Sequence, residues 1–309
     1  MKEKRKLVIG LVISATALAV ALWGVQPARL VDALRGANYI YLLPMTLLLL
    51  VGLATRARSW QVLLNGHVPF SRAFAALNEG YLLNMVLPLK MGELARAYLV
   101  TRDTQLHMGW TTATVVLERI IDVVVCLLGL IMVLPLVVKV DWAWNVVITV
   151  AVGLVVGILI LLVLYRRQDL LHKLIERIPL LERLEITRIV EEFFLGLGGD
   201  GHTGRLLRAA FWSLLAWATN WLTYLISLEM FQVEFSPTAA LFVTGVVAFG
   251  AAIPSLPGAV GVFELSAVAA LLVFDYPQES AVSFAVVNHM HQLLITGLIG
   301  AAALSREGE

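Results

Sequence analysis

The chain has 309 residues, of which 60% are hydrophobic and only 15% charged, with a net charge of +1 and a mean hydropathy of +0.86. This composition lies far outside that of soluble globular domains; it excludes a water-soluble enzyme or a nucleic-acid binder and indicates an integral membrane protein. The single cysteine, Cys126, sits in an apolar stretch, so a disulfide framework or a cysteine metal site is excluded as well.

Stretches of roughly 20 apolar residues cross a bilayer. Lys2, Lys4, Arg5 and Lys6 precede the apolar run 7–25, which lacks a clear small-residue cleavage site before Gln26-Pro27 and reads as a retained first helix rather than a signal peptide. Further spans are predicted over 39–55, 110–137, 144–165, 207–231 and 281–304. Two longer apolar regions, 70–100 and 237–274, each carry an interior Leu-Pro break. Between them, 166–200 is rich in charge; within it 168–197 has the spacing of amphipathic helices, broken at Pro179 and suited to the cytoplasmic leaflet.

Lys/Arg asymmetry sets the orientation. The basic N-terminus, Arg56 and Arg58, and the arginines from Arg166 to Arg208 mark cytoplasmic positions. For these to agree, 70–100 must begin and end on the cytoplasmic side and 237–274 on the outer side, with both termini in the cytoplasm. The fold expected is therefore an all-α membrane protein. It has about six spanning helices and two oppositely oriented re-entrant hairpins, an inverted-repeat arrangement of the kind transporters use. The hairpin bends are predicted near 84–88 and 254–258. Trp23, Trp142 and Trp144 at outer ends, and Trp60, Trp110 and Trp212 at inner ends, read as aromatic belts. Trp217 and Trp221 lie deeper on one helix face and read as core.

The two breaks resemble each other. One is Leu87-Pro88-Leu89-Lys90-Met91-Gly92-Glu93-Leu94; the other is Leu256-Pro257-Gly258-Ala259-Val260-Gly261-Val262-Phe263-Glu264-Leu265. Matched, Pro/Gly-interrupted apolar segments in the two halves of a membrane protein point to a binding site near the bilayer midplane. Proline suits the first turn of a helix, so Pro88 and Pro257 are each expected to open a second arm. Helix N-termini at membrane depth favour anions, and Lys90 and Arg96 add full charges. A phosphate-bearing headgroup is the ligand this predicts.

Ionisable residues inside the spans are costly, about 2.5–3.5 kcal/mol each on insertion scales, and must face protein or water. Glu118 and Asp122 share a helix face, Arg119 reaches Asp122 at i+3, and Arg119 is placed to clamp Glu93. Glu264 has no basic neighbour in sequence; its partner is expected to be Arg96 or Arg119, or else it is protonated. In the last span Asn288, His289, His291 and Gln292 are polar. His289 is a candidate for proton coupling as well as for inter-helix hydrogen bonding. His289 and His291 diverge on a helix, which argues against a shared metal. Gly196, Gly198 and Gly201 match G-x-G-x-x-G but lack a βαβ context and read as a loop. No cofactor or metal is expected.

Asn84, Leu87-Pro88, Gly92-Glu93 and Arg96, then Glu118-Arg119 and Asp122, then Pro254, Pro257-Gly258, Gly261 and Phe263-Glu264, together resemble the signature of the lysylphosphatidylglycerol synthase transmembrane-region, or flippase-like, family. The resemblance covers essentially the whole chain. It departs at Pro257-Gly258-Ala259, where the family often reads Pro-Gly-Gly. The resemblance implies a lipid flippase. Some members move aminoacylated phosphatidylglycerol and carry a following synthase domain; others stand alone and are linked to polyprenyl-phosphate and envelope-lipid pathways. Because the chain stops at Glu309, soon after its last span, a stand-alone member is expected. A separate lipid-modifying enzyme is then a natural partner.

The function expected is thus a flippase or scramblase for a phosphate-bearing lipid in the cytoplasmic membrane. Asn84, Pro88, Lys90, Gly92, Glu93, Arg96, Glu118, Arg119, Asp122, Pro257, Gly258, Gly261 and Glu264 would form the translocation site. The alternative is a membrane glycosyl- or phospho-transferase, or its accessory subunit, in which Glu118 and Asp122 bind a divalent cation or act as base. A scaffold that recruits a synthase through 168–197 is the third reading.

Overall fold

The computed structural model describes residues 2–87, 90–137, 141–167, 186–197, 202–253 and 256–307. Among these residues there are twelve α-helices and no strand. The first helices are α1 (Lys2–Ala21), α2 (Pro27–Gly36) and α3 (Leu42–Leu63), followed by α4 (Phe70–Val86), α5 (Gly92–Asp103) and α6 (Met108–Val133). The second half holds α7 (Asp141–Arg166), α8 (Ile186–Leu197), α9 (His202–Met230), α10 (Pro237–Gly250), α11 (Val262–Leu272) and α12 (Gln278–Glu307). Single 3₁₀ turns occupy Tyr39–Tyr41, Leu134–Leu136 and Pro257–Ala259.

Local signals account for the boundaries. Proline stands at the start of α2 and α10, where its missing N–H is harmless. The Ser236 hydroxyl caps α10 by accepting from Ala239 N–H at 3.2 Å. Asn38 caps the Tyr39–Tyr41 turn in the same way. After α1 the chain turns through Gly24, at φ +81°, which is why the first helix ends at Ala21 rather than at the predicted residue 25.

Among the described residues three segments are both long and apolar enough to cross a membrane: Tyr39–Leu63, Met108–Leu136 and Gln278–Arg306. They correspond to three of the six predicted spans. Of the others, α9 has 29 residues but carries Arg205, Arg208, Asn220 and Glu229, and the apolar stretches described within α1 and α7 are the shorter Gly10–Ala21 and Val147–Ile160. In α7, Val152, Val155 and Val163 are each more than half exposed, as a helix facing lipid would be.

Helices approach closely where small residues allow it, the packing favoured between membrane helices. The longest pairing joins α3 to α9, where a Cβ on Gly52 would stand 2.7 Å from Thr219 Oγ1. The last helix, α12, lies along α4 with Gly300 against the Asn78 carbonyl and Leu82. Helix α8 lies on α6, with Gly109 against the Ile189 carbonyl and Gly196 against Trp110 and Ala113. One prediction is corrected here: Gly196 is a helix-packing residue rather than part of a loop. Residues 168–185, 198 and 201 lie outside the described residues.

The two Leu-Pro breaks fall between short helices. α4 and α5 have 17 and 12 residues and pack on each other; α10 and α11 have 14 and 11 and do the same. The Pro257–Ala259 turn of the second pair touches α4 of the first, so the second break lies against the first helix pair. Pro88 and Pro254 lie outside the described residues. Pro257 opens a 3₁₀ turn, not the second arm; that arm starts at Val262, behind a Gly261 cap.

Candidate functional site

The arms of the first helix pair cross at two glycines. A Cβ on Gly80 would come within 2.7 Å of the Gly92 carbonyl, and one on Gly92 would overlap the Gly80 carbonyl and Asn84 Oδ1. At this crossing Asn84 Oδ1 accepts from Gly92 N–H at 2.8 Å, satisfying one of the orphan donors at the start of α5. Glu93, in the first turn, lies favourably near the positive end of that helix.

One turn further on, Arg96 is only 2% exposed. Its Nη2 lies 2.8 Å from Glu118 Oε2, and its guanidinium sits 4.5 Å from the centre of the Trp60 ring. The ion pair is close but poorly aligned, and among the described residues none of the Arg96 N–H groups makes a hydrogen bond. Trp60 Nε1 donates to Thr114 Oγ1 at 3.0 Å, which fixes the ring beneath the arginine.

Asp122 is the centre of the cluster. Its Oδ2 accepts from Arg56 Nη1 at 2.6 Å and from Arg119 Nη1 at 3.1 Å. Its Oδ1 accepts from Ser213 Oγ at 2.8 Å and Trp217 Nε1 at 3.0 Å. Arg119 also pairs with Glu93 at 3.1 Å, and Arg56 lies 3.8 Å from Glu118. Three guanidinium groups thus meet three carboxylates, so the cluster balances its own charge. Burial of ions is tolerated only when they are paired in this way. It ties α3, α5, α6 and α9 together.

At the edge of this network lies an open cleft of about 380 Å3. Its charged lining groups are Lys90, Glu93 and Arg119; its walls are apolar, with Leu94, Val115, Val116, Ile120, Val123 and Leu154. Arg119 is 36% exposed there. Lys90 is exposed, in a left-handed backbone conformation at φ +55°. Two cations and one anion give the cleft one net positive charge.

The second break builds a separate cluster. Glu264 is 4% and His289 3% exposed. Glu264 Oε2 accepts from Gly261 N–H at 2.7 Å, closing the first turn of α11 onto its N-cap residue. Its Oε1 lies 2.7 Å from His289 Nδ1, and His289 Nε2 lies 2.8 Å from the Gly258 carbonyl. Phe263 stacks on the imidazole with ring centres 4.2 Å apart. Gly258, Ala259 and Gly261 all have positive φ, at +73°, +58° and +87°. Gly261 also touches the Ser14 carbonyl too closely for any side chain, and Ser14 Oγ accepts from Leu256 N–H at 3.0 Å.

The predicted residues therefore divide. Asn84 and Gly92 shape the first crossing; Arg96, Glu118 and Asp122 are buried in the ionic network; Lys90, Glu93 and Arg119 line the cleft; Gly258, Gly261 and Glu264 belong to the second cluster with His289. The Arg119–Glu93 and Arg119–Asp122 pairs are formed as predicted. The partner of Glu264 is His289, not Arg96 or Arg119, both of which are taken by carboxylates nearer in space. His291 bonds Thr46 Oγ1 at 2.8 Å, apart from His289. Among the described residues no group of three or more His, Cys, Asp or Glu could hold a metal ion.

Sequence reasoning missed Arg56, Trp60, Ser213 and Trp217. Helix α3 continues through Arg56 and Arg58 to Leu63, which puts Arg56 on a helix face. Trp60 is fully buried rather than interfacial. Polar-facing signals were present: Arg56 and Trp60 are four apart, as are Ser213 and Trp217, and both pairs face α6.

A family model described as the lysylphosphatidylglycerol synthase TM region matches residues 7–300. Comparison with curated proteins gives no match. The family match spans nearly the whole chain, and with the apolar helices it establishes a multi-pass membrane protein that belongs to the lysylphosphatidylglycerol synthase TM-region family.

Proposed function

We propose that this family member moves a phosphate-bearing lipid across the cytoplasmic membrane. The observation that carries this reading is the cleft beside α5 and α6. Lys90, Glu93 and Arg119 provide one net positive charge among apolar walls. A phosphate diester carries one negative charge, and its acyl chains suit apolar walls open to the side. Lys90 and Arg119 would contact the phosphate, and Glu93 would hold Arg119 in place until a headgroup competes for it.

The short helices support a pair of re-entrant hairpins. At 1.5 Å per residue, α4, α5, α10 and α11 are roughly 26, 18, 21 and 17 Å long, against a hydrocarbon core of about 30 Å. Hairpins entering from opposite faces, with the Pro257–Ala259 turn touching α4, would form an inverted arrangement around the bilayer midplane. Both termini would then lie in the cytoplasm, where a separate lipid-modifying enzyme would supply or consume the lipid. The transferase alternative draws less support, since Glu118 and Asp122 face Arg56, Arg96 and Arg119 and offer no free carboxylate pair for a cation or a substrate proton.

The test is a dithionite-quench assay on purified protein in liposomes with fluorescent anionic and zwitterionic phospholipids and a polyprenyl-phosphate analogue. Wild-type protein should expose inner-leaflet probe. Lys90→Gln and Arg119→Lys should slow this several-fold for anionic headgroups while the protein stays folded. Equal rates in wild type and both variants would overturn the cleft as headgroup site.

A further inference from the structure

The contacts of His289 contain a constraint on protons. Nδ1 lies 2.7 Å from a Glu264 carboxyl oxygen, and Nε2 lies 2.8 Å from the Gly258 carbonyl oxygen. Both distances are those of made hydrogen bonds. A neutral imidazole has one N–H and one lone pair, and an ionised carboxylate and a carbonyl are acceptors only. With neutral His289 and ionised Glu264, one of the two contacts would set lone pair against lone pair. Both are buried, where an unmade hydrogen bond is most costly.

We infer that Glu264 and His289 together form a proton-binding site, occupied by one proton in this structure, which pins the Pro257–Ala259 turn to α12. The proton resides either on the imidazole, giving imidazolium and carboxylate, or on Glu264, giving a carboxylic acid that donates to Nδ1. In both forms Nε2–H donates to Gly258. Phe263, stacked at 4.2 Å, fixes the plane of the imidazole and so the direction of both its nitrogens. The other carboxyl oxygen is already held by Gly261 N–H, so Glu264 cannot turn away to relieve the conflict.

Release of the proton has a determined structural consequence. The one remaining imidazole N–H goes to the stronger, charged acceptor, Glu264. Nε2 then faces the Gly258 carbonyl without a hydrogen, and that contact is lost. The turn it held contains Ala259 at φ +58°, a conformation disfavoured for an L side chain, so the turn relaxes when its anchor goes. Because the turn packs on α4, the first hairpin feels the protonation state of the second.

Other charges do not compete for this proton. On the elements packed against α11 and α12, Arg72 pairs with Glu79 and Arg56 with Asp122, while His291 bonds Thr46. Helix α2 carries Arg29, Asp32 and Arg35, α9 carries His202, Arg205, Arg208 and Glu229, α4 also has Tyr81, and α12 itself has Glu279, Arg306 and Glu307. Tyr276 precedes α12 and bonds the Glu234 carbonyl. The charges of α1 stand at its start, from Lys2 to Lys6, and α10 has none. Among the described side chains the ion-pair partner of Glu264 is His289. The inference does not rest on lipid transport.

Glu264→Gln separates the alternatives, because an amide can donate to Nδ1 and accept from Gly261 N–H, completing the network without the extra proton. The experiment uses full-length protein in nanodiscs, labelled with ¹⁵N-histidine and assigned by loss of the signal in His289→Gln. A second reporter is Ala259→Cys, with maleimide labelling followed against pH and normalised to the unfolded protein; Cys126, 7% exposed, gives the low background. Wild type should lose one proton from the pair as pH rises, with labelling at 259 accelerating at least several-fold over the same range. In Glu264→Gln both the titration and the acceleration should vanish while the protein remains folded. A neutral imidazole beside an ionised Glu264 at every accessible pH would overturn the site. Proton release with unchanged labelling at 259 would overturn its hold on the turn.

Discussion

Replacing Asp122 with Asn removes one charge and little volume, so it tests whether the ionic network holds the helices together. Asp122 accepts four hydrogen bonds, from Arg56 and Arg119 on one oxygen and from Ser213 and Trp217 on the other. An amide has one acceptor oxygen, so in either orientation its NH₂ faces two donors. Arg56, with its side chain 15% exposed, is left with Glu118 at 3.8 Å. Breaking a buried pair by removing one partner costs about 3–5 kcal/mol, which is roughly a hundredfold to a few thousandfold in the folded-to-unfolded ratio. Reversible unfolding in mixed micelles, followed by tryptophan fluorescence, would measure this. Asp32→Asn on the exposed face of α2 serves as the control and should stay within about 0.5 kcal/mol of wild type. The double variant Arg56→Met/Asp122→Leu should recover part of the loss, since it removes one charge of each sign and Arg119 retains Glu93. An Asp122→Asn protein within about 0.5 kcal/mol of wild type would refute the reasoning, because the four contacts would then contribute nothing that an amide does not.

Gly92→Ala should destabilise the first helix pair by at least about 1–3 kcal/mol, because its Cβ overlaps the Gly80 carbonyl and Asn84 Oδ1; the same unfolding assay applies, with Gly153→Ala, which meets nothing within 4 Å, as the neutral control. Asn84→Ala should cost about 1 kcal/mol through loss of the cap on Gly92 N–H, and Asn84→Asp should restore most of it. Hydrogen bonding to Arg102, aided by Arg72, holds the Asp103 carboxyl below its usual range despite some opposing burial. Its contribution is therefore present above the unfolded carboxylate pKa of about 3.9 and lost as pH falls through the lower folded value; Asp103→Asn should flatten the acid limb of stability against pH and leave the neutral region nearly unchanged. Trp60→Phe should cost about 1 kcal/mol for the hydrogen bond to Thr114, and Trp60→Leu more, because it also removes the ring under Arg96.

Much of the site was legible because charge is expensive in an apolar chain. Glu118, Arg119 and Asp122 had to be paired wherever they lay, and i+3 spacing already gave Arg119 to Asp122. Proline and glycine marked both breaks, and the structure adds that Gly92 and Gly261 stand where backbones touch. What sequence periodicity did not supply was the third dimension. Arg56 read as a cytoplasmic flank because it ends an apolar run; helix α3 simply continues past it, and a carboxylate 66 positions away supplies the compensation. For Glu264 the sequence offers Arg96, Arg119 or protonation, because no basic residue lies near it along the chain. His289 lay in a different helix with no local feature to connect them, and only the packing of α11 on α12 brings the two within 2.7 Å.

The two clusters differ in a way that bears on which part of the protein moves. The first is balanced, three guanidinium groups against three carboxylates, and spans four helices, with each charge set against at least one of opposite sign. Such a network resists small changes and is suited to a frame. The second cluster is held by a single exchangeable proton, on a turn with two residues of positive φ and a third, Gly261, just after it, and its hydrogen bonds change by one when that proton leaves. A rigid ionic frame on one side and a one-proton latch on the other place the low-cost rearrangement at the Pro257–Ala259 turn rather than at Arg96 or Asp122. Ala259→Gly tests this ordering: by relieving the positive φ it should strengthen the pinned state by up to about 1–2 kcal/mol, shifting the labelling transition at a nearby introduced cysteine, Val260→Cys, to higher pH while leaving unfolding of the α3–α6–α9 frame unaltered. An unchanged transition would mean that the turn is not the moving part.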